Sequence, residues 1–86
     1  MPRISQFYGI AVYMYYRDHA PPHFHAIYGE HEAEIDIETG NVCAGSLPAR
    51  AMGLVQDWRL LHVDELRRDW QLARAGQPLA NIDPLS

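Results

Sequence analysis

Three of the five histidines of this chain lie within seven residues, in the segment DHAPPHFH (Asp18–His25). Imidazole, whose ordinary pKa is about 6.5, is the side chain best suited to acid–base work at neutral pH, and it is also a common metal ligand. His19, His23 and His25 are therefore candidate catalytic groups and, together with Asp36, candidate metal ligands. No zinc-binding pattern such as CxxC…CxxC or HExxH accompanies them, so the spacing identifies no particular ion.

The composition restricts the kinds of protein that this chain can be. With 86 residues, 48% of them hydrophobic and 21% charged, the sequence predicts a single globular domain spanning residues 1–86. A formal net charge of -4 argues against direct high-affinity binding of nucleic acid, which depends on neutralising phosphates with basic residues. Cys43 has no second cysteine to pair with, so an intramolecular disulfide is excluded.

The sequence pattern contains no targeting or membrane segment. The N-terminal residues lack the apolar run of a signal peptide, and no stretch approaches the roughly 20 consecutive apolar residues of a transmembrane helix. We therefore expect a cytoplasmic protein with no membrane partner.

The apolar pattern changes once along the chain, near residues 45–48. Before this point it has the period of two that is typical of strands, and after it the period is helical. The predicted fold is α+β with two layers: a four-stranded antiparallel β-meander (1–45), two helices packed on one face of it (46–76) and an irregular tail (77–86) that either docks on the helices or hangs free. The four predicted strands are Tyr8–Arg17, His23–Tyr28, His31–Glu38 and Asn41–Ala44.

Both predicted helices have a start signal, and the second also has a stop signal. Ser46 is a favourable N-cap for the first helix and Asp64 for the second, while Gly76 followed by Pro78 ends the second. Apolar residues at spacings of three and four predict one buried face on each helix. These residues are Ala51, Leu54, Val55, Trp58 and Leu61 in the first helix and Leu66, Trp70 and Ala73 in the second.

Two tight hairpins predict which side chains face the histidines. If residues 29–30 form a two-residue loop, His25 lies opposite Glu34 and His23 lies opposite Asp36. A slip of this register by one residue would place apolar side chains against acidic ones, so the pairing is well specified. Opposed residues have Cβ atoms about 4.5–5.5 Å apart, and each histidine can therefore interact with a carboxylate.

The same reasoning applied to a Thr39–Gly40 loop predicts the neighbouring strand pair. In that register Ile35 pairs with Ala44, and Asp36 pairs with Cys43. A carboxylate beside Cys43 disfavours the thiolate, so we do not expect this cysteine to act as a nucleophile.

These registers place a set of histidine, tyrosine and acidic side chains on the sheet face that the helices leave open. Such a face is either a solvated surface with weak ion pairs, a surface that binds a partner, or a metal or catalytic site. The candidate binding surface consists of Tyr13, Tyr15, Asp18, His19, His23, His25, Glu34 and Asp36, with Ile27 beside them.

Several motifs together resemble the bacterial family called domain of unknown function 4160. They are YGI (8–10), DHAPPHFH (18–25), YGE (28–30), IDIETG (35–40), GSLP (45–48) and DWQLARAGQPL (69–79), which span nearly the whole chain. The resemblance implies a small bacterial protein with no established activity. It also implies a gene that often lies beside a short companion of another uncharacterised family (2442), an arrangement suspected to be toxin–antitoxin-like. Cys43 departs from the family pattern, which has an aliphatic residue there, and this weakens any metal or thiol role for it.

The leading interpretation is a protein-interaction module of a two-gene toxin–antitoxin-like system that uses the exposed histidine and tyrosine face. Its expected partner is a small protein encoded by a neighbouring gene, and an unpaired sheet edge offers a route to a homodimer. The alternative is a metal-binding or RNA-cleaving hydrolase centred on DHAPPHFH, for which a divalent metal ion is the cofactor that the residues suggest. A third interpretation makes Asp18 and His19 a folding device that fixes the Pro–Pro connection. The sequence leaves enzymatic activity undecided.

Overall fold

The computed structural model of the protein describes residues 2–86. Its architecture is a five-stranded antiparallel sheet, in which the strand order follows the sequence, with two helices. The predicted α+β class with an antiparallel sheet and two helices is therefore confirmed, but the sheet has five strands and not four. The elements are β1 (Arg3–Phe7), β2 (Ile10–Tyr13), β3 (His23–Tyr28), β4 (His31–Asp36), β5 (Val42–Gly45), α1 (Ala49–Leu61) and α2 (Val63–Arg74).

The additional strand, β1, lies where the sequence shows no alternating pattern. Ile4 and Phe7 are both buried although they are three residues apart. A bulge accounts for this spacing, because the pairing of β1 with β2 shifts register inside β1, and the extra residue interrupts the alternation. The predicted first strand (Tyr8–Arg17) is correspondingly shorter, since residues 8–9 form the turn between β1 and β2.

The core lies between one face of the sheet and the helices. The ring of Trp58 on α1 lies 5.4 Å from that of Phe7 and 5.7 Å from that of Phe24, measured between centroids. Leu61, predicted to be buried, is 68% exposed because α1 ends there. The predicted inward-facing residues that are buried are Ile10, Val12, Met14, Phe24, Ala26, Ala33, Ile35, Ile37, Ala51, Val55, Trp58, Leu66, Trp70 and Ala73.

The hairpin of β3 and β4 has the predicted register. His23 pairs with Asp36, and His25 pairs with Glu34. Because successive residues of a strand point to opposite faces of the sheet, both histidines lie on the face opposite that of Phe24.

The hairpin of β4 and β5 has a wider turn than the sequence predicts. Oδ1 of Asp36 accepts hydrogen bonds from the backbone N–H groups two and three residues ahead, over 2.8 and 3.0 Å. These bonds close a turn over residues 37–40 in place of the predicted two-residue loop. Ile35 consequently pairs with Val42, and the predicted pairing of Asp36 with Cys43 is wrong.

Two side chains of α1 hold this turn against the helix. The guanidinium of Arg59, a residue only 8% exposed, donates through Nη1 to the carbonyl oxygen of Ile37 over 3.0 Å. Nε2 of Gln56 donates to the carbonyl oxygen of Gly40 over 2.8 Å. Gly40 has a φ of +78°, and a Cβ there would come within 2.6 Å of Nη2 of Arg59, so both the conformation and the close approach favour glycine.

The helix starts differ from the predicted ones. Ser46 does not cap α1, because the helix begins at Ala49 and Pro48 occupies the N-cap position; the N–H of Ser46 instead extends the sheet by donating to a β4 carbonyl over 3.0 Å. The N-cap position of α2 is occupied by His62, with Asp64 in the first turn. Gly76, with φ of +71°, follows the end of α2 as predicted. Within residues 2–86, neither helix combines the length and apolar character that a membrane crossing requires.

The C-terminal tail docks on the domain and does not hang free, which are the two outcomes that the sequence left open. Ile82 is 4% exposed, and its N–H donates to the carbonyl oxygen of Ile4 over 2.7 Å. Nε1 of Trp58 donates to the carbonyl oxygen of Asp83 over 2.9 Å. The tail therefore connects β1 to α1.

The same tail covers a buried carboxyl group on α2. Asp69 is 1% exposed, its Oδ1 accepts a hydrogen bond from the N–H of Ala80 over 2.9 Å, and its Oδ2 has no hydrogen-bond partner within residues 2–86. Burial raises the pKa of Asp69 and the charge of Glu65 adds to this, while the bond from Ala80 and the charge of Arg68 offset only part of it.

We expect the substitution Asp69→Asn to make the stability depend less on pH. A carboxyl whose folded pKa is raised contributes fully to stability below its unfolded pKa of about 3.9, and that contribution is lost as the pH rises through the folded pKa. The free energy of unfolding of Asp69→Asn minus that of the wild type should therefore be larger at pH 7 than at pH 4. Urea denaturation at both pH values measures this difference, with Asp57→Asn on the exposed side of α1 as the control. Equal differences at the two pH values would contradict the expectation.

Candidate metal and acid–base site

The segment between β2 and β3 positions the first residues of the site. Its end is held to the sheet because the carbonyl oxygen of Pro22 accepts a hydrogen bond from the N–H of Ile37 over 3.0 Å. The Ala20–Pro21 peptide bond within it is cis. Oδ1 of Asp18 accepts a hydrogen bond from the backbone N–H of His19 over 2.8 Å, which orients the carboxylate and leaves Oδ2 facing β3.

His23, the first residue of β3, is the buried centre of the site. Its side chain has no exposed surface, and its ring lies 5.2 Å from that of Trp70 on α2. Nδ1 of His23 lies 2.7 Å from the carbonyl oxygen of Pro21. Because a carbonyl oxygen can only accept, Nδ1 carries the proton of this bond, and in a neutral ring Nε2 then has a lone pair and no proton.

Nε2 of His23 faces two carboxylates. It lies 2.9 Å from Oδ2 of Asp18 and 3.6 Å from Oε1 of Glu34. A lone pair and a carboxylate oxygen repel each other at such a distance unless a proton or a metal ion lies between them. Oδ2 of Asp18 also lies 3.3 Å from Nε2 of His25, so one oxygen serves two rings.

His25 is enclosed on the same face. The centroid of its ring lies 4.3 Å from that of Tyr15. Nδ1 of His25 lies 3.2 Å from Oε2 of Glu32, and Nε2 lies 4.0 Å from Oε1 of Glu34. Both ring nitrogens of His25 therefore face carboxylate oxygens.

His19 forms the solvent side of the site. Its side chain is 67% exposed, and its Nε2 lies 3.8 Å from Oε1 of Glu34. The Nε2 atoms of three histidines thus lie within 4.0 Å of this one oxygen. We call the group of six residues the histidine–carboxylate cluster; it consists of Asp18, His19, His23, His25, Glu32 and Glu34.

The ionisation of the cluster follows from its hydrogen bonds. Burial raises the pKa of Asp18, but the hydrogen bonds from the His19 backbone and from the two strand histidine rings outweigh it, so the pKa lies below its ordinary value. Asp18 is therefore ionised at neutral pH. Burial and then the charge of Glu32 raise the pKa of Tyr15, which covers the cluster as an uncharged ring.

Most of the candidate surface residues meet in the cluster or against it, but Asp36 does not. Tyr13 pairs with His25 across β2 and β3 and stacks on Tyr15 at 6.5 Å between ring centroids. The carboxylate of Asp36 caps the turn at residues 37–40 and belongs to neither group of close donor atoms, so the structure places this candidate metal ligand elsewhere. Cys43 is an exposed residue. Partial desolvation of its thiol, and then the charge of Glu34, raise the pKa of the thiol.

The prediction of a solvent-exposed histidine face is wrong for the two strand histidines. His23 is 1% exposed and His25 is 9% exposed. Trp70 of α2 packs against the first ring and Tyr15 against the second. The periodicity of β3 locates both histidines opposite the apolar core, but it contains no information about what covers that face.

Sequence reasoning missed two members of the site. Glu32 precedes Glu34 by two residues, so it is a diagonal neighbour of His25 in the predicted register, and this signal was present in the sequence. The packing of Trp70 on His23 had no sequence signal, because it depends on where α2 crosses the end of the sheet.

The arrangement can hold either protons or a metal ion. Two groups of donors each have all their ligand atoms within 4.8 Å of one another: Asp18, His23 and His25, and His19, His23 and Glu34. They share His23, so the buried ring is common to both. Without a metal, the same atoms hold protons between imidazole and carboxylate, which is the arrangement used in general acid–base catalysis.

Comparison with known proteins gives a family but no activity. Residues 9–71, which are 63 of the 86 residues, match the family described as "Domain of unknown function (DUF4160)". The matched range contains the whole histidine–carboxylate cluster, and the resemblance seen in the sequence motifs is confirmed. No curated protein and no solved structure matches the chain.

We expect Asp18→Asn to lower the free energy of unfolding by about 1–3 kcal/mol, because in the metal-free protein protons join the two imidazoles to Oδ2, and an amide has one acceptor oxygen where the carboxylate has two. Chemical denaturation measures the loss, with a chelator present so that a bound metal ion contributes nothing. Asp57→Asn, whose side chain makes no hydrogen bond within residues 2–86, is the matched control. If both variants are equally stable, the bonds of Asp18 do not hold the segment in place.

Proposed function

The chain belongs to the domain of unknown function 4160 family, and because that description names no activity, we propose from the cluster itself that the protein is a metal-dependent hydrolase. The histidine–carboxylate cluster binds one divalent ion of the Zn²⁺ class, for which imidazole and carboxylate are ordinary ligands. This is the alternative interpretation of the sequence, and the burial of the two strand histidines favours it over a histidine face offered to a partner.

The observation that carries the proposal is the common orientation of the three histidine rings. Nδ1 of His23 and of His19 faces the backbone carbonyl of Pro21 and of Ala20, over 2.7 and 3.2 Å, and Nδ1 of His25 faces a β4 carboxylate over 3.2 Å. Histidines that bind metal through Nε2 almost always donate Nδ1–H to a carbonyl or carboxylate in this way. All three Nε2 atoms consequently lie within 4.0 Å of one carboxylate oxygen, Oε1 of Glu34.

The shared oxygens favour a metal ion over protons as the occupant. A proton joins one nitrogen to one oxygen, whereas an ion accepts lone pairs from several donors at once. Oδ2 of Asp18 lies close to two imidazoles and Oε1 of Glu34 to three. A single cation among them satisfies more of these contacts than any assignment of protons.

The donor separations are compatible with one coordination sphere. Ligand atoms about 2.0–2.2 Å from a tetrahedrally coordinated ion lie roughly 3.3–3.6 Å apart. Nε2 of His23 lies 2.9 Å from Asp18 and 3.6 Å from Glu34, and Nε2 of His19 lies 3.8 Å from Glu34. Small side-chain adjustments therefore bring these donors to bonding distance.

The exposure of His19 supports the hydrolytic part of the proposal. Its ring is two-thirds exposed, so it meets water and substrate, whereas the ring of His23 is enclosed. An ion held partly by this exposed ring is open to water and substrate, as a catalytic metal site requires. A bound divalent ion supplies Lewis acidity and a more acidic water to such a site.

Calorimetric titration of chelator-treated protein with Zn²⁺ tests the metal site. We expect one ion per chain, with protons released to the buffer because the ligands must lose them. His19→Ala and Glu34→Gln should each weaken binding by tenfold or more. The control is His31→Ala, an exposed histidine at the start of β4 whose side chain makes no hydrogen bond within residues 2–86.

Two results would overturn the metal site: a stoichiometry far below one in the wild type, or equal weakening by His31→Ala and His19→Ala. Circular dichroism of each variant distinguishes loss of ligands from loss of fold. The buried His23 is left unchanged in this experiment because its removal is expected to destabilise the fold.

A second candidate function is binding of a protein partner, and the edge strand β5 favours it. All four residues of Val42–Gly45 are exposed, and the strand contains no proline, lysine or other charged residue of the kind that protects sheet edges. A partner strand can add at this edge, from a second copy or from the small protein of a toxin–antitoxin-like pair.

Light scattering tests this second function on the chain alone and after co-expression with the product of the neighbouring gene. We expect a mass above that of one chain in at least one case, reduced to one chain by Ala44→Lys because a charge at the edge opposes pairing. Gln71→Lys, on the exposed side of α2, controls for the added charge. A single-chain mass in both preparations rules out edge pairing.

A further inference from the structure

We infer that the groove beside His19 binds a phosphate group, so that the substrate of the proposed hydrolase is a phosphate ester. The reaction part of this inference rests on the proposed function, whereas the phosphate binding does not. The groove is lined by Arg17, Asp18, His19, Ala20 and Arg74 and has a volume of about 360 Å³. Small-molecule sites have volumes of roughly 300–1,000 Å³.

Two guanidinium groups face this groove without a carboxylate partner. All seven basic residues of the chain are arginines, in a protein of formal net charge -4. Arg67 pairs with Glu38, but Arg17 and Arg74 make no ion pair and no side-chain hydrogen bond within residues 2–86. The planar guanidinium matches the geometry of phosphate oxygens and is the usual side chain for their recognition.

The backbone at Arg17 is held in an unfavourable conformation. Its φ is +54°, in the left-handed region, which is unfavourable for a residue with a Cβ. The guanidinium rests beside Gly76 just after α2, where a Cβ would come within 3.2 Å of Nη2 of Arg17. Strain of this kind persists where the surrounding structure maintains it, and it concentrates at binding sites.

The groove and the cluster meet at His19. This residue lines the groove, and its Nε2 lies 3.8 Å from Oε1 of Glu34 inside the cluster. A phosphoryl group held by Arg17 and Arg74 therefore lies next to an exposed imidazole and next to the proposed metal ligands. In hydrolysis a water oxygen bonds to phosphorus as the water loses a proton to solvent, the bond from phosphorus to the ester oxygen breaks, and the departing oxygen takes a proton from solvent.

The charges of the site link phosphate and metal binding. Asp18 lines the groove, and its carboxylate repels a phosphate in the metal-free protein. A divalent ion in the cluster offsets this repulsion, and by thermodynamic linkage phosphate must strengthen metal binding by the same factor. We therefore expect phosphate to bind weakly to the metal-free chain and more tightly to the metal-loaded one.

The test is a titration of the chelator-treated full chain with inorganic phosphate at low salt, followed through the Nε–Hε NMR signals of arginine. The signals of Arg17 and Arg74 should shift saturably, while that of Arg68, which is exposed elsewhere on α2, should not. Arg17→Gly and Arg74→Gln should each weaken binding by about tenfold or more, and Arg68→Gln should leave it unchanged. Since Arg17→Gly relieves a left-handed conformation, this variant should be at least as stable as the wild type.

A second titration, with one equivalent of Zn²⁺ present, separates this inference from the proposed function. Tighter phosphate binding with Zn²⁺ supports both. Arginine-dependent phosphate binding that Zn²⁺ does not alter retains the phosphate site and contradicts its coupling to a metal centre. Equal shifts in all three arginine signals, or equal weakening by Arg68→Gln and Arg17→Gly, overturns the phosphate site even if Zn²⁺ binds.

Discussion

The carbonyl oxygen of Pro21 accepts a hydrogen bond from Nδ1 of His23 over 2.7 Å, and this bond decides which nitrogen of a fully buried ring faces the carboxylates. Because Nδ1 donates to this carbonyl, Nε2 of His23 lies 2.9 Å from Oδ2 of Asp18, and in a neutral ring Nε2 has a lone pair and no proton. The second oxygen of Asp18 is in turn held by the backbone of His19. The segment between β2 and β3 thus orients both the ring and the carboxylate that it meets, before any ligand is considered.

The cover over this ring depends on elements far away in the sequence. Trp70 packs on His23, and the residue before it, Asp69, accepts a hydrogen bond from Ala80 in the tail. The tail is itself anchored where Ile82 donates to a carbonyl of β1. Docking of the last residues therefore contributes to the placement of α2, and α2 removes His23 from water. Removal from water strengthens every charge interaction at the ring.

The sequence was sufficient to predict much of the sheet and, within the site, the pairing of β3 with β4. Strict alternation in β3 and β4, separated by a two-residue turn, specified the positions of His25 and Glu34 because a slip would have buried acids. The β4–β5 turn was not predictable in the same way, since the carboxylate of Asp36 closes a wider turn through backbone bonds that leave no periodic signal. A bulge hid β1 by breaking its alternation. Burial of His23 escaped prediction because it arises from packing between distant elements.

Three departures from ordinary local chemistry lie together in residues 17–25, beside isolated ones at Tyr8, which also has a positive φ, and at Asp69. Arg17 has a left-handed backbone, His23 is buried with both nitrogens facing oxygen acceptors, and Asp18 shares one oxygen between two rings. A purely structural role for this segment requires only that the backbone N–H of His19 donates to Asp18, because that hydrogen bond fixes the connection. It does not require Nε2 atoms of three histidines to approach one carboxylate oxygen, an arrangement that costs stability when nothing positive occupies it. Proteins tolerate such local conflicts mainly where function maintains them, so the concentration of these conflicts in one segment favours a binding site over a structural one.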